Sequence, residues 1–90
     1  MRLISQDGYV DIPYDLSALS IGEFGDKTVI YVRSKLFDEK PFVFATYSSE
    51  EKGLKVMENL RKTYSKLPKY ADADEYFEDL VFQFPKDDEV

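Results

Sequence analysis

The sequence predicts an α+β domain: an antiparallel meander of about five short strands packed against one long and one short C-terminal helix. Three observations point there. Short β-branched and aromatic runs punctuated by turn residues fill the first half of the chain. One apolar stripe at helical spacing follows them: Gly53, Val56, Met57, Leu60, Tyr64 and Leu67. Strands come first and helices later, which is not the alternation of an α/β fold. Ninety residues suffice for one domain. It is expected over residues 1–85, followed by an acidic C-terminal tail, 86–90, that frays.

The elements can be taken in chain order. Arg2–Gln6 and Tyr9–Ile12 are strand-like runs around Asp7-Gly8, a pair that signals a type I′ hairpin turn. Pro13 ends the second strand because it has no N–H to donate. Asp15–Ile21 is a weaker strand with Leu19 and Ile21 on one face. Gly22–Lys27, with two glycines and an aspartate, reads as a turn. Thr28–Arg33 is the clearest strand in the chain, Ser34–Pro41 a charged loop, and Phe42–Tyr47 the next strand. Ser48-Ser-Glu-Glu51 has the form of a capping box, with Ser48 as the cap. The helix it opens runs to about Ser65, and Pro68 stops it. Gly53 within the apolar stripe weakens helix propensity and makes sense if a sheet approaches there. Asp72 or Asp74 caps a second, short helix with Tyr76, Phe77 and Leu80 as its apolar face. Val81–Phe84 fits a last strand before Pro85 and equally a helix continuing to Phe82.

Composition narrows the function. The chain has no histidine and no cysteine. The usual acid/base group near neutral pH, the strongest ordinary nucleophile and the standard transition-metal ligands are therefore missing. Carboxylate, lysine or tyrosine chemistry is left, and no motif arranges it, so the expectation is a protein that is not an enzyme and carries no cofactor or metal. Cysteine-free composition suits the cytoplasm, the short run Met1–Ser5 followed by polar Gln6, Asp7 and Gly8 leads to the expectation of no signal peptide, and no apolar run approaches the roughly 20 residues of a membrane span. Seven Phe and seven Tyr without Trp imply either an unusually aromatic core or an aromatic oligomer or ligand surface.

The net charge of −6 is unevenly placed. From Lys52 to Lys69 the chain carries Lys52, Lys55, Arg61, Lys62, Lys66 and Lys69 against Glu58 alone, which makes this helical stretch basic. Asp72, Asp74, Glu75, Glu78, Asp79, Asp87, Asp88 and Glu89 make the C-terminal part acidic. Solvated faces are one reading; an anion site and an acidic decoy surface are the others. The acids lack the glycine and spacing of a calcium loop. Gly22-Glu-Phe-Gly25 fits neither a P-loop nor a dinucleotide fingerprint. Basic residues interleaved with Tyr64 could bind a single strand, but the negative net charge argues against nucleic acid. A small nucleotide ligand suits the residues better. Arg33, Lys35, Phe37 and Phe42 flank one loop, and Arg61 and Tyr64 lie on the helix, so arginine could meet phosphate and a ring could meet a base.

Three segments carry a resemblance: Arg2-Leu-Ile-Ser-Gln-Asp-Gly8 with Asp11-Ile-Pro-Tyr14; Tyr47-Ser-Ser-Glu-Glu-Lys52 leading into Val56-Met-Glu-Asn-Leu60; and Phe82-Gln-Phe-Pro85 followed by acids. Together they resemble small phage and prophage proteins of Gram-positive bacteria over nearly the whole chain. The group is similar to the Thoeris anti-defence proteins, which sequester a cyclic ADP-ribose-type messenger without cleaving it. The resemblance assigns no binding residue. It implies a phage counter-defence protein in the bacterial cytoplasm that holds a nucleotide messenger. Excess aromatic surface on a small domain fits a homo-oligomer, and residue type alone makes Arg33, Lys35, Phe37, Arg61 and Tyr64 the candidate site between subunits. The alternative is an acidic inhibitor in which Asp74, Glu75, Glu78 and Asp79 occupy the nucleic-acid channel of a host defence protein. A third reading is an accessory phage protein with no inhibitory role.

Overall fold

The computed structural model describes residues 1–35, 40–65 and 81–90. Six strands and one α-helix follow in the order β1 (Arg2–Ile4), β2 (Asp11–Pro13), β3 (Ser17–Phe24), β4 (Lys27–Ser34), β5 (Phe42–Tyr47), α1 (Glu50–Ser65) and β6 (Val81–Gln83). The fold is α+β, as the order of patterns implied. The strands form not one meander but two three-stranded sheets, β2–β1–β6 and β3–β4–β5. Two local features divide them. Pro13 closes β2, and a 3-10 turn over Tyr14–Leu16 redirects the chain before β3 starts. Val81–Gln83 is a strand rather than a helix, and it pairs parallel to β1 instead of joining β5. The short second helix expected around 72–80, and Leu67 and Pro68 with it, lie outside the described residues.

β4 is the middle of the central sheet, β3–β4–β5, and its β-branched run is buried at Thr28, Val29, Ile30 and Val32. β3 pairs with it without interruption from Ser17↔Ser34 to Phe24↔Lys27. The turn is therefore only Gly25-Asp26, with Gly25 at φ +64° and Asp26 not positive, the pattern of a II′ turn. The expected turn at Gly22 is strand instead. A Cβ there would lie 3.2 Å from Cε2 of Tyr31 on the neighbouring strand, so Gly22 makes room for that ring.

The β1–β2 connection also differs from the expected I′ turn. Only Gly8 takes positive φ, at 83°. The loop is longer than two residues, and side chains close it: Asp7 Oδ1 accepts from Ser5 Oγ (2.5 Å) and from the Tyr9 N–H (3.0 Å). The Gly8 N–H donates back to the Ser5 carbonyl at 2.9 Å. Asp7 acts as an acceptor and has no need of left-handed backbone. Its carboxyl is held below the usual range, first by the Ser5 hydroxyl and then by the Tyr9 N–H.

Gln6 ties the sheets together. Its backbone N–H donates to the Phe44 carbonyl at 2.9 Å. Its side-chain amide accepts from the Thr46 N–H and donates to the Thr46 carbonyl, each at 3.0 Å, and also donates to the Pro85 carbonyl at 3.1 Å. One side chain thus does for the edge of β5 what another strand would do. A register shift in β5 leaves Phe44 unpaired between Val43 and Ala45, a bulge that turns its ring inward. Phe44 meets Phe84 edge-on at 5.1 Å, and Phe84 meets Phe82 at 5.3 Å. The core joins both sheets and the helix through Leu3, Ile12, Ile30, Val32, Phe44, Tyr47, Val56, Leu60 and Phe84.

α1 covers one face of the central sheet with Gly53, Val56 and Leu60 buried. The cap is Ser49, one residue later than expected: its hydroxyl accepts from the Lys52 N–H at 3.2 Å. The Ser48 N–H goes to Asp87 Oδ1 at 2.8 Å. The C-terminal residues are therefore docked, not frayed. They form a 3-10 turn over Asp87–Glu89, closed by the Lys86 N–H on Glu89 Oε1. Lys52 Nζ donates to the Asp87 carbonyl at 2.8 Å. No helix among the described residues is long and apolar enough to cross a membrane.

Two substitutions test this packing. Gln6→Ala should lower unfolding stability by about 2–3 kcal/mol in urea titration, because it strands the N–H and C=O of Thr46, while the Pro85 carbonyl keeps the Tyr47 hydroxyl as donor. Gln6→Glu, which keeps the shape but loses the donor, should cost no less. Gly53→Ala would improve helix propensity by about 1 kcal/mol. Its Cβ, however, would sit 2.8 Å from Thr28 Cγ2 and 2.9 Å from Ile21 Cδ1, and overpacking of this kind costs about 1–3 kcal/mol. A net loss of stability is expected, and a stabilised Gly53→Ala protein would contradict the close approach.

Candidate functional site

The contact between Gly53 and Thr28 fixes which face of the central sheet the helix covers. Side chains alternate along a strand. Thr28, Ile30 and Val32 therefore lie under α1, and Val29, Tyr31 and Arg33 point to the opposite face. The continuous β3–β4 register adds Ala18, Ser20, Gly22 and Phe24 to that face, which is buried over Val29 and, among the described residues, open at Ala18, Ser20, Phe24 and Arg33. β5 contributes Val43, opposite Tyr31.

The open face combines three kinds of group. Ala18 and Ser20 are exposed and small, and Gly22 lies under the edge of the Tyr31 ring. Phe24 and Val43 are exposed apolar side chains, at 76% and 55%. Arg33 is exposed at the far end of β4, across from Ala18. Lys35 is exposed just past the strand, where its N–H donates to the Leu16 carbonyl at 2.7 Å. A half-buried ring, an exposed guanidinium and small side chains between them can stack a planar group and pair with an anion.

The other sequence-predicted residues lie elsewhere. Arg61 and Tyr64 are on α1, across the sheet from Arg33, so one protomer does not bring the two arginines together. Arg61 is exposed. Tyr64 has a packing contact: its ring stacks on Tyr14 at 4.7 Å, tilted by 35°. Its hydroxyl reaches Asp15 Oδ1 at 3.4 Å, and the Asp15 charge raises the phenol's pKa. Phe37, and the acids Asp74, Glu75, Glu78 and Asp79, lie outside the described residues. Of the C-terminal acids, Asp87 is committed to Ser48 and Lys52. Sequence reasoning missed Tyr31, Ala18 and Ser20 as site residues. The available signal was the alternation of Tyr31 and Arg33 with the buried positions of Thr28–Arg33.

No group of three or more acidic side chains suited to a metal ion occurs among the described residues. The described residues form two small clefts among others. One of about 90 Å³ is lined by Ile21, Gly22, Glu23, Thr28 and Glu50. The other, of about 230 Å³, lies between α1 and the C-terminal residues and is lined by Lys55, Val56, Asn59, Phe82, Gln83, Pro85, Glu89 and Val90. Pockets for drug-sized ligands run from about 300 to 1,000 Å³. Neither of these two clefts encloses a whole nucleotide.

No family model matches the chain, and neither a curated protein nor a solved structure gives a match.

The Asp87 clasp has a defined pH response. The Ser48 N–H is the main cause holding its carboxyl below the usual carboxylate range, with Lys52 adding to it. A depressed folded pKa means stability that is present at neutral pH and lost as the pH falls through that value. Asp87→Asn should therefore lower the urea midpoint at pH 7 and flatten its fall below the ordinary carboxylate range. Urea titrations from pH 7 to acid check both, and an unchanged acid slope would show that the clasp is energetically silent.

Proposed function

We propose that this chain is a non-catalytic binding protein that captures a nucleotide messenger on the open face of its central sheet, with a second copy completing the site. One observation carries the reading: Arg33 stands exposed on the same sheet face as the Tyr31 ring, beside the small residues Ala18 and Ser20. A guanidinium pairs with phosphate in a fixed, bidentate geometry, and an aromatic ring stacks on a base. The small clefts of the single protomer favour a ligand shared between copies. The absence of histidine and cysteine from the sequence suits stoichiometric capture better than turnover. The resemblance to phage counter-defence proteins supplies the setting, the cytoplasm of a bacterial host, and the messenger class, cyclic ADP-ribose-like.

Isothermal titration with cyclic ADP-ribose-type and cyclic nucleotide messengers tests the reading. Arg33→Ala should weaken binding at least about tenfold, since a charged hydrogen bond contributes roughly 1.5–3 kcal/mol. Arg61→Ala, on the other side of the sheet, should leave it unchanged. A wild-type protein that binds none of these ligands, or equal loss in both variants, overturns the assignment.

A further inference from the structure

The central sheet ends on a strand that nothing covers among the described residues. β3 is the edge of the β3–β4–β5 sheet and is eight residues long. Natural edge strands of that length are guarded by proline, lysine, a bulge or an inward charge. Ser17-Ala-Leu-Ser-Ile-Gly-Glu-Phe24 has no proline and no lysine, and its register with β4 is unbroken. Its one charge is Glu23, near the turn.

The hairpin decides which backbone groups are left over. A two-residue turn is closed by a hydrogen-bonded pair, and bonded and non-bonded pairs then alternate along the ladder. From Phe24↔Lys27 onward, Phe24, Gly22, Ser20 and Ala18 aim their backbone groups at β4. Leu19, Ile21 and Glu23 aim both N–H and C=O outward. Ser17 aims its C=O outward, its N–H being held by the Tyr14 carbonyl.

We propose that a second copy of this chain pairs along that edge, β3 antiparallel to β3 across a two-fold axis at Ser20, to make one continuous six-stranded sheet. The occupant is read from the strand's own complementarity. With Ser20 opposite Ser20 of the second copy, Leu19 of each copy faces Ile21 of the other. Ile21 is 37% exposed in the single chain, so this contact extends the apolar layer beneath α1 across the junction. On the open face Ala18 falls opposite Gly22, and the junction is lined with small groups that do not obstruct pairing. Glu23 falls opposite Ser17 and meets no like charge. A slip by one residue along the strand would turn apolar side chains against the wrong face. The pairing places Tyr31 and Arg33 of both copies on one continuous surface, flanking the small residues of the two β3 strands. It thus supplies the second copy that the capture reading needs, and it stands without any ligand.

Sedimentation equilibrium of the full chain without ligand gives the first test, and a dimer is expected. The chain has no cysteine, so single cysteines report the register. In a non-hydrogen-bonded pair the two Ser20 Cα atoms lie about 4.5 Å apart, within disulfide reach. Ser20→Cys should give a covalent dimer on mild oxidation. Ala18→Cys should not, because self-paired positions there are separated by about 13 Å along the strands. Both positions are exposed, so neither change disturbs the core. A monomeric wild-type protein overturns the pairing, as does cross-linking at Ala18 and not at Ser20. A cross-linked dimer that binds no messenger keeps the pairing and overturns capture.

Discussion

The fold depends on the hydrogen bonds of Gln6. Two three-stranded sheets share one core, and each presents an edge whose backbone groups must be satisfied. Gln6 sits where the first sheet hands over to the edge of β5. Its main chain bonds to the bulged Phe44, and its amide answers both backbone groups of Thr46 and the Pro85 carbonyl. A glutamine matches this task because its amide carries a donor and an acceptor in the arrangement of a peptide group. Tyr47 reinforces the seam: its hydroxyl donates to the same Pro85 carbonyl at 2.7 Å. Burial is the main cause raising that phenol's pKa, with Asp87 and Glu89 adding to it, so it stays a donor.

The C-terminal residues lock what Gln6 aligns. β6 adds to β1, Phe84 closes the aromatic cluster, and Asp87 takes the Ser48 N–H at the start of α1. The last residues of the chain thereby hold the beginning of the helix. An acid near a helix N-terminus is stabilised by the helix dipole as well as by its hydrogen bonds. Part of the acidity that marks the C-terminus in the sequence is therefore structural.

With one face of the central sheet under α1 and β5's edge answered by Gln6, the β3 edge and the part of the other face around Ala18, Ser20 and Arg33 are left exposed among the described residues. Those two features adjoin. A surface that is flat and small-residue along its free edge, with an aromatic ring and an arginine set back from it, gains depth when a neighbour extends it.

Residues 28–33, 42–47 and 50–65 were legible as two strands and a helix, because local periodicity and β-branching coincide with burial there. So was the close helix–sheet approach at Gly53, since a glycine in an apolar helical stripe has few other reasons to exist. Other features were not legible, because each depends on a partner far along the chain. Gly22 is a turn residue by propensity and a strand residue because of Tyr31. Ser48 is a cap by motif, yet its N–H serves Asp87. Arg33 and Arg61 are both plausible anion ligands by type, and the sheet between them separates them. The amino-acid sequence alone determined the α+β class, the main elements and the lack of histidine and cysteine chemistry, all of which follow from local pattern or composition. Only the tertiary structure decided that the strands divide into two sheets, that Gln6 joins them and that Tyr31 shares an open face with Arg33. Hydrogen-bond partners and sheet faces are set by pairing between distant segments, which no local pattern encodes.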